Sequence, residues 1–222
     1  MCCDIAALRR KLQRIPNSHL LFLDETAVRI SEAPTRTLVL PGETAYVLAD
    51  DTSRYAPRFD MIACCCGDRV FPPIIYAPNE RQRGINQHML LKYIRNILAQ
   101  AAGALDRYPL TLVLDRATIH DVDKIKQEFN DWGCQELAQV LLMPTQAAKR
   151  MSPLDNALFH DWKEAVRKRC PLTKRTIKQV MADEWNNIQP SKIAAHYKQC
   201  GLTRATDVYA DCPAPASHAH AD

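Results

Sequence analysis

Leu110-Thr111-Leu112-Val113-Leu114-Asp115-Arg116-Ala117-Thr118-Ile119-His120 sets five apolar or β-branched residues directly before an aspartate. The run holds no glycine or proline and follows Pro109. It predicts a buried strand with a carboxylate at its carboxyl end, the place where open α/β sheets hold their ligands. His19-Leu20-Leu21-Phe22-Leu23-Asp24-Glu25 has the same form. Two such strands can bring two carboxylates to one sheet edge. A pair of that kind needs a metal ion or another partner to answer its like charge.

Working outward, a short helix is expected over Ile5 to Arg14, ended by Pro16. Residues 18–24 form the first strand. Thr37–Leu40 and Ala45–Leu48, around Pro41-Gly42, suggest a hairpin or extended loop. Phe59 to Cys66 and Val70 to Tyr76, joined at Gly67-Asp68, predict an antiparallel hairpin. Asn86 can cap a long helix whose apolar positions are Met89/Leu90, Tyr93/Ile94, Ile97/Leu98 and Ala101/Ala102. After the strand 110–115 come a charged helix, Asp121 to Trp132, and a strand, Ala138 to Met143, ended by Pro144. Ser152-Pro153-Leu154-Asp155 supplies an N-cap, a proline at the first helical position and an acid at the third. That helix should run to about Arg169, with Leu158, Phe159, Trp162 and Val166 inward. Helices over 173–188 and 191–200 follow, the second closed by Gly201. The order predicts an α/β fold: a mixed five-stranded sheet flanked by helices.

The 222 residues suffice for one domain with a sizeable core. A hydrophobic fraction of 47% and a charged fraction of 24% are those of a globular protein. No apolar run approaches the ~20 residues that span a bilayer, and Leu8-Arg9-Arg10-Lys11 interrupts any secretory signal. The expectation is an intracellular protein with no membrane partner, nuclear in a eukaryote and cytoplasmic in a bacterium. Nine cysteines include the contiguous Cys2-Cys3 and Cys64-Cys65-Cys66, with no Cys-x-x-Cys pair. They read as small buried hydrophobes. His196-x-x-x-Cys200 is half of a zinc spacing without its second half. The net charge is only +4, but Lys163, Arg167, Lys168, Arg169, Lys174, Arg175 and Lys178 face one local acid, Glu164. Alone, that run is a solvated helix face.

Asp24 and Asp115 end strands, and Asp155 opens a helix. Three carboxylates meeting at one point make an oxygen-rich site suited to Mg²⁺ or Mn²⁺. Each has a plainer reading: Asp24 and Asp115 as turn residues, and Asp155 as a helix-start acid worth ~0.5–2 kcal/mol. Glu25 should point to the other face from Asp24 and is left out of the metal shell.

These motifs together resemble the catalytic domain of mariner-type transposases of the DDE/D superfamily, which has a ribonuclease-H-like fold. Leu21-Phe22-Leu23-Asp24-Glu25-Thr26 resembles the first motif. Leu112-Val113-Leu114-Asp115-Arg116-Ala117-Thr118-Ile119-His120 resembles the second. Ser152-Pro153-Leu154-Asp155-Asn156-Ala157-Leu158-Phe159 resembles the third. The resemblance covers roughly 18–205, and 39 residues (116 to 154) separate the second acid from the third. It implies a catalytic domain over 18–205 after a short helical remnant over 1–17, with a disordered tail over 206–222. It implies Asp24, Asp115 and Asp155 as catalytic residues holding two Mg²⁺ or Mn²⁺ ions for DNA strand cleavage and strand transfer. DNA is the implied partner, and a homodimer is admitted. Candidate phosphate contacts are His120, Arg116, Lys149, Arg150, Arg167, Lys168 and Arg169. His120 has helix capping as an equal alternative, and Arg116 has an ion pair with Asp115. Two departures stand out in the motifs: Arg116 replaces the family's asparagine, and its proline-rich run before the third acid is reduced to Pro144 and a basic loop. Only 17 residues precede the first strand, and the expectation is a catalytic domain without the family's amino-terminal DNA-reading domains. The alternative is a transposase relic acting as a non-enzymatic DNA-binding or interaction module.

Overall fold

In chain order the elements are α1 (Cys2–Leu12), β1 (Leu20–Arg29), β2 (Arg58–Cys66), β3 (Arg69–Val70), β4 (Ile74–Tyr76), α2 (Gln87–Tyr93) and β5 (Leu110–Leu114). They continue as α3 (Val122–Asp131), β6 (Leu137–Leu142), α4 (Ala148–Met151), α5 (Phe159–Arg167), α6 (Ile177–Asn186) and α7 (Pro190–Gln199). The computed structural model describes residues 2–30, 40–42, 56–81, 84–98, 109–131, 137–144, 147–169 and 172–202. The hairpin expected over 37–48, the far end of the long helix and the tail over 206–222 lie outside the described residues.

The sheet runs β3-β2-β1-β5-β6, with β4 also paired to β2. β1 and β5 are parallel, as are β5 and β6, while β2 is antiparallel to its neighbours. The sheet has six strands rather than five because the strand expected over 70–76 is divided. Pro72 and Pro73 have no N–H to give a ladder, so Phe71, Pro72 and Pro73 stand opposite Ala63 and Cys64 as a bulge. At the preceding turn Gly67 is required: a Cβ there would lie 2.6 Å from Asn17, whose carbonyl accepts the Gly67 N–H at 2.9 Å.

Both faces of the sheet are covered, which explains why β2 and β5 read as nearly unbroken apolar runs. Leu20, Phe22, Val28, Phe59, Met61, Ala63 and Cys65 face a layer that includes Leu158, Trp162, Trp185, Ile193 and Tyr197. Leu21, Leu23, Ile62, Cys64, Leu112 and Leu114 face Leu90, Tyr93, Ile94, Ile125 and Phe129. Trp162 and Trp185 meet edge to face at 6.2 Å. Their indole N–H groups donate to the Met181 and Phe71 carbonyls at 3.0 and 2.9 Å, so neither is left unpaired in the core. Cys64, Cys65, Cys66 and Cys200 are free and buried, as the reading of cysteine as a hydrophobe requires. Among the described residues no helix is long and apolar enough to cross a membrane.

Two helices depart from the regular α form. Ile94–Leu98 and Leu154–Leu158 are π turns. In each, the buried positions advance by steps of four: Leu90, Ile94, Leu98, and Leu154, Leu158, Trp162, Val166. At 3.6 residues per turn, each four-residue step rotates about 40° past a full turn. Wide turns absorb that drift and keep the residues on one face.

Tyr197, wholly buried, donates its hydroxyl to the Leu20 carbonyl at 2.9 Å. Tyr197→Phe should therefore cost ~1–3 kcal/mol and lower the melting temperature by about 2–4 °C for each kcal/mol, as thermal unfolding followed by circular dichroism would show.

Candidate active site

The site begins with strand register. Leu20, Leu21 and Phe22 of β1 lie opposite Thr111, Leu112 and Val113 of β5. Carried two places further, the same register sets Asp24 level with Asp115 on the neighbouring parallel strand. Alternation then sorts the faces: Asp24 follows Leu20 and Phe22 toward the α5–α7 layer, and Glu25 follows Leu21 and Leu23 toward α2 and α3.

Asp155 reaches Asp24 from the helical layer. Ser152, 1% exposed, accepts the Asp155 N–H on its hydroxyl at 3.3 Å, which is the N-cap geometry expected. The π turn Leu154–Leu158 starts there. With Leu154 and Leu158 anchored in the core, Asp155 is left exposed beside the sheet edge. Its carboxyl lies close enough to that of Asp24 for each to bear on the other's ionisation.

The charges in this cluster are unbalanced. Asp24 is 8% exposed, and its carboxyl is pushed up to about 9 by burial, then by the charges of Asp155, Glu25 and Asp115, against the lowering effect of the Glu25 N–H. That N–H donates to Oδ1 at 2.7 Å. Asp155 is also raised, by its partial burial and by Asp115 and Glu25, while the Asp24 hydrogen bond and Lys149 hold it down. Neighbouring carboxyls that no cation answers resist ionising together. Asp60, the other acid buried in the sheet at 1% exposure, is answered differently. Its oxygens meet Arg58 at 2.8 Å and Arg81 on the other side. No guanidinium or ammonium group pairs with Asp24 among the described residues.

Asp115 is half-exposed and turned toward His120. Its Oδ1 lies 2.8 Å from His120 Nδ1 and accepts the Ala117 N–H at 3.0 Å. The His120 hydrogen bond, opposed by burial and helped by Ala117, holds the Asp115 carboxyl below its ordinary value. His120 is itself displaced: burial pulls its pKa down, but hydrogen bonds to Asp115 and Glu25 outweigh that and raise it to about 10. Among the described residues no three His, Cys, Asp or Glu side chains close into a ready coordination shell. The arrangement is three carboxyls coupled by charge, one of them paired with an imidazole.

Several expectations are corrected here. The His120 ring is fully enclosed and both nitrogens are engaged, so it neither touches a phosphate nor caps a helix. The cap of α3 is Asp121, which accepts the N–H groups of Asp123 and Lys124 at 3.2 Å. Arg116 is exposed and forms no ion pair with Asp115, whose partner is His120. Lys149 is exposed and near enough to Asp155 for its charge to be felt there, while Arg150 beside it is exposed on α4. The basic run is less free than its sequence suggests. Arg167 binds Glu164, Arg169 binds Glu184 and Lys178 binds Glu80, each at 2.6 Å. Lys168 is exposed. The residue that sequence reading set aside is Glu25, whose Oε1 lies 3.2 Å from His120 Nε2. Its opposite facing was legible from alternation, but the return of His120 to meet it was not.

No protein-family model matches the sequence, and no curated protein sequence matches it. Solved structures do. The Mos1 transposase paired-end complex with the left transposon end superposes with a TM-score of 0.70 at 14% identity, covering 89% of this chain and 57% of that one. The Mos1 mariner paired-end complex with Mn gives 0.67 at 14% identity, with 89% and 57% covered. The catalytic domain of Mos1 mariner transposase gives 0.62 at 12% identity, covering 90% of this chain and 86% of that domain. The chain spans just over half the length of the transposase in those complexes. It has the ribonuclease-H-like fold of the mariner transposase catalytic domain.

The charge imbalance sets a pH dependence. The Asp24 carboxyl keeps its proton to about 9 in the folded chain and loses it near ~3.9 when unfolded. Between those values the unfolded chain binds fewer protons, so metal-free stability falls as pH rises. Asp24→Asn removes this contribution. Its metal-free melting temperature at pH 8 should exceed that of the wild type by at least about 2–4 °C, and the gap should shrink toward pH 4 in calorimetric scans.

Proposed function

We propose that this chain is a divalent-metal-dependent DNA strand-cleavage and strand-transfer domain, with Asp24, Asp115 and Asp155 as its catalytic metal ligands. The observation that carries this reading is the buried Asp24 carboxyl, coupled by charge to the exposed Asp155 and to Asp115. Among the described residues no cation pairs with Asp24, which lies mid-strand in β1 rather than at its end and stands level with Asp115, just past the carboxyl end of the parallel β5. Three carboxylates are a hard oxygen donor set that fits Mg²⁺ or Mn²⁺. Of the solved relatives of this fold, one is a strand-transfer complex and others carry Mn or Mg, which supports DNA as substrate and a divalent ion as cofactor.

The chain's own residues would divide the work as follows. Asp24, buried, and Asp155, exposed, would hold a divalent cation in their ionised forms, so binding would release protons. Asp115, half-exposed, would complete the set from β5. Two ions held this way supply Lewis-acid stabilisation to both oxygens of an in-line displacement at phosphorus. Lys149, exposed six residues before Asp155, would hold a DNA phosphate at the open side. Arg150 and Lys168 extend that positive surface. Arg167 and Arg169 would have to exchange a carboxylate for a phosphate to join it. Arg116 leaves Asp115 unblocked, which favours an enzyme over a relic.

Asp24→Ala, Asp115→Ala and Asp155→Ala should each abolish Mg²⁺-dependent nicking of duplex DNA. Wild-type activity in any one of them removes that residue from the catalytic set. Millimolar Mn²⁺ should also raise the wild-type melting temperature, since binding to the folded state alone stabilises it. No shift would favour the non-enzymatic module.

A further inference from the structure

Glu25 and His120 support the site without belonging to its acid cluster. The His120 ring is 0% exposed. Nδ1 faces the Asp115 Oδ1 at 2.8 Å and the Asp115 carbonyl at 3.0 Å, and Nε2 faces Glu25 Oε1 at 3.2 Å. A carbonyl can only accept, so Nδ1 donates on the Asp115 side, and Nε2 pairs with the Glu25 carboxyl. The turn that carries it is closed on itself: His120 N–H donates to the Ala117 carbonyl at 3.0 Å, and Ala117 N–H donates to Asp115 Oδ1 at 3.0 Å. Among the described residues, Glu25 is the side chain that ties this turn to a different strand. It sits next to Asp24 and points to the opposite face. β1 therefore offers one carboxylate to the site and the next to the histidine behind it.

We propose that Glu25 is a positioning residue: acting through His120, it fixes the direction in which Asp115 presents its carboxylate to a divalent cation. The proposal rests on the metal-site reading above. Outer groups that orient a metal ligand in this way typically contribute about 10–100-fold to metal affinity. A purely structural Glu25 would change the melting temperature and leave the affinity of the folded protein unchanged.

The test uses the full chain with Mn²⁺ alone as probe, its affinity read by titration calorimetry or by the paramagnetic resonance of free Mn²⁺. Metal-free melting temperatures are measured alongside. Glu25→Leu removes the acceptor. Glu25→Asp keeps the charge but is one methylene too short to reach Nε2. Glu25→Gln keeps an oxygen acceptor at the same reach. Glu25→Leu and Glu25→Asp are expected to weaken Mn²⁺ binding by about 10–100-fold, and Glu25→Gln to recover most of the loss. If Glu25→Leu fails to fold, Glu25→Asp carries the comparison. Unchanged affinity in Glu25→Asp, beside a loss in Asp24→Asn, overturns the proposal alone. Failure of Glu25→Gln to recover affinity also overturns it. Absence of Mn²⁺ binding by the wild type overturns the metal-site reading and this proposal together.

Discussion

The parallel pairing of β1 with β5 is the constraint on which the site depends. Leu20, Leu21 and Phe22 lie opposite Thr111, Leu112 and Val113, and both strands are buried on both faces. A slip of one residue would send every β1 side chain to the other face. Phe22 would leave Tyr197, which it meets edge to face at 5.6 Å, and Asp24 would turn away from Asp155. The apolar core thus enforces the alignment of the acids, although no acid contributes to that core. Because β2 pairs with β1 over eight positions, Phe22 to Arg29, the register is held from both sides.

What this alignment costs is visible in the acids themselves. A buried carboxylate is tolerable when guanidinium groups answer it, as Arg58 and Arg81 answer Asp60. Asp24 instead faces other acids, and burial raises its proton affinity. Natural sequences seldom keep such an arrangement for stability, since neutralising it would favour the folded state. Retention of an unbalanced charge cluster where β5 ends beside β1, next to a π turn, is the pattern of a functional site.

Much of this was legible because it is local. The apolar runs before Asp24 and Asp115, the Ser152 cap and the closing Gly201, at φ +70°, are each set by neighbours a few residues away. The expected sheet failed to anticipate its sixth strand only because Pro72-Pro73 was read through rather than as a break. The π turns also had a local signature, in apolar positions spaced strictly by four, which simple helical periodicity smooths over. What could not be read involves residues far apart. Glu80 and Glu184 neutralise Lys178 and Arg169 from 98 and 15 residues away. Glu25 meets His120 across 95 residues. No periodicity encodes such pairs, because they follow from the layers packing and not from any one element.

The same distinction relocates the question that Arg116 raises. By sequence, a cation beside Asp115 threatens to occupy it. In the fold, Asp115 is held by the Ala117 N–H and the His120 ring, and Arg116 stays in solvent. The residue that differs from the family pattern is thus not the one controlling the carboxylate. What the carboxylate meets is an enclosed imidazole set between it and Glu25. Loss of His120 would leave two carboxylates facing a buried gap, whereas loss of Arg116 would disturb only the surface. The proposed chemistry therefore turns less on Arg116 than on Glu25 and His120, the groups that stand behind Asp115 in the fold.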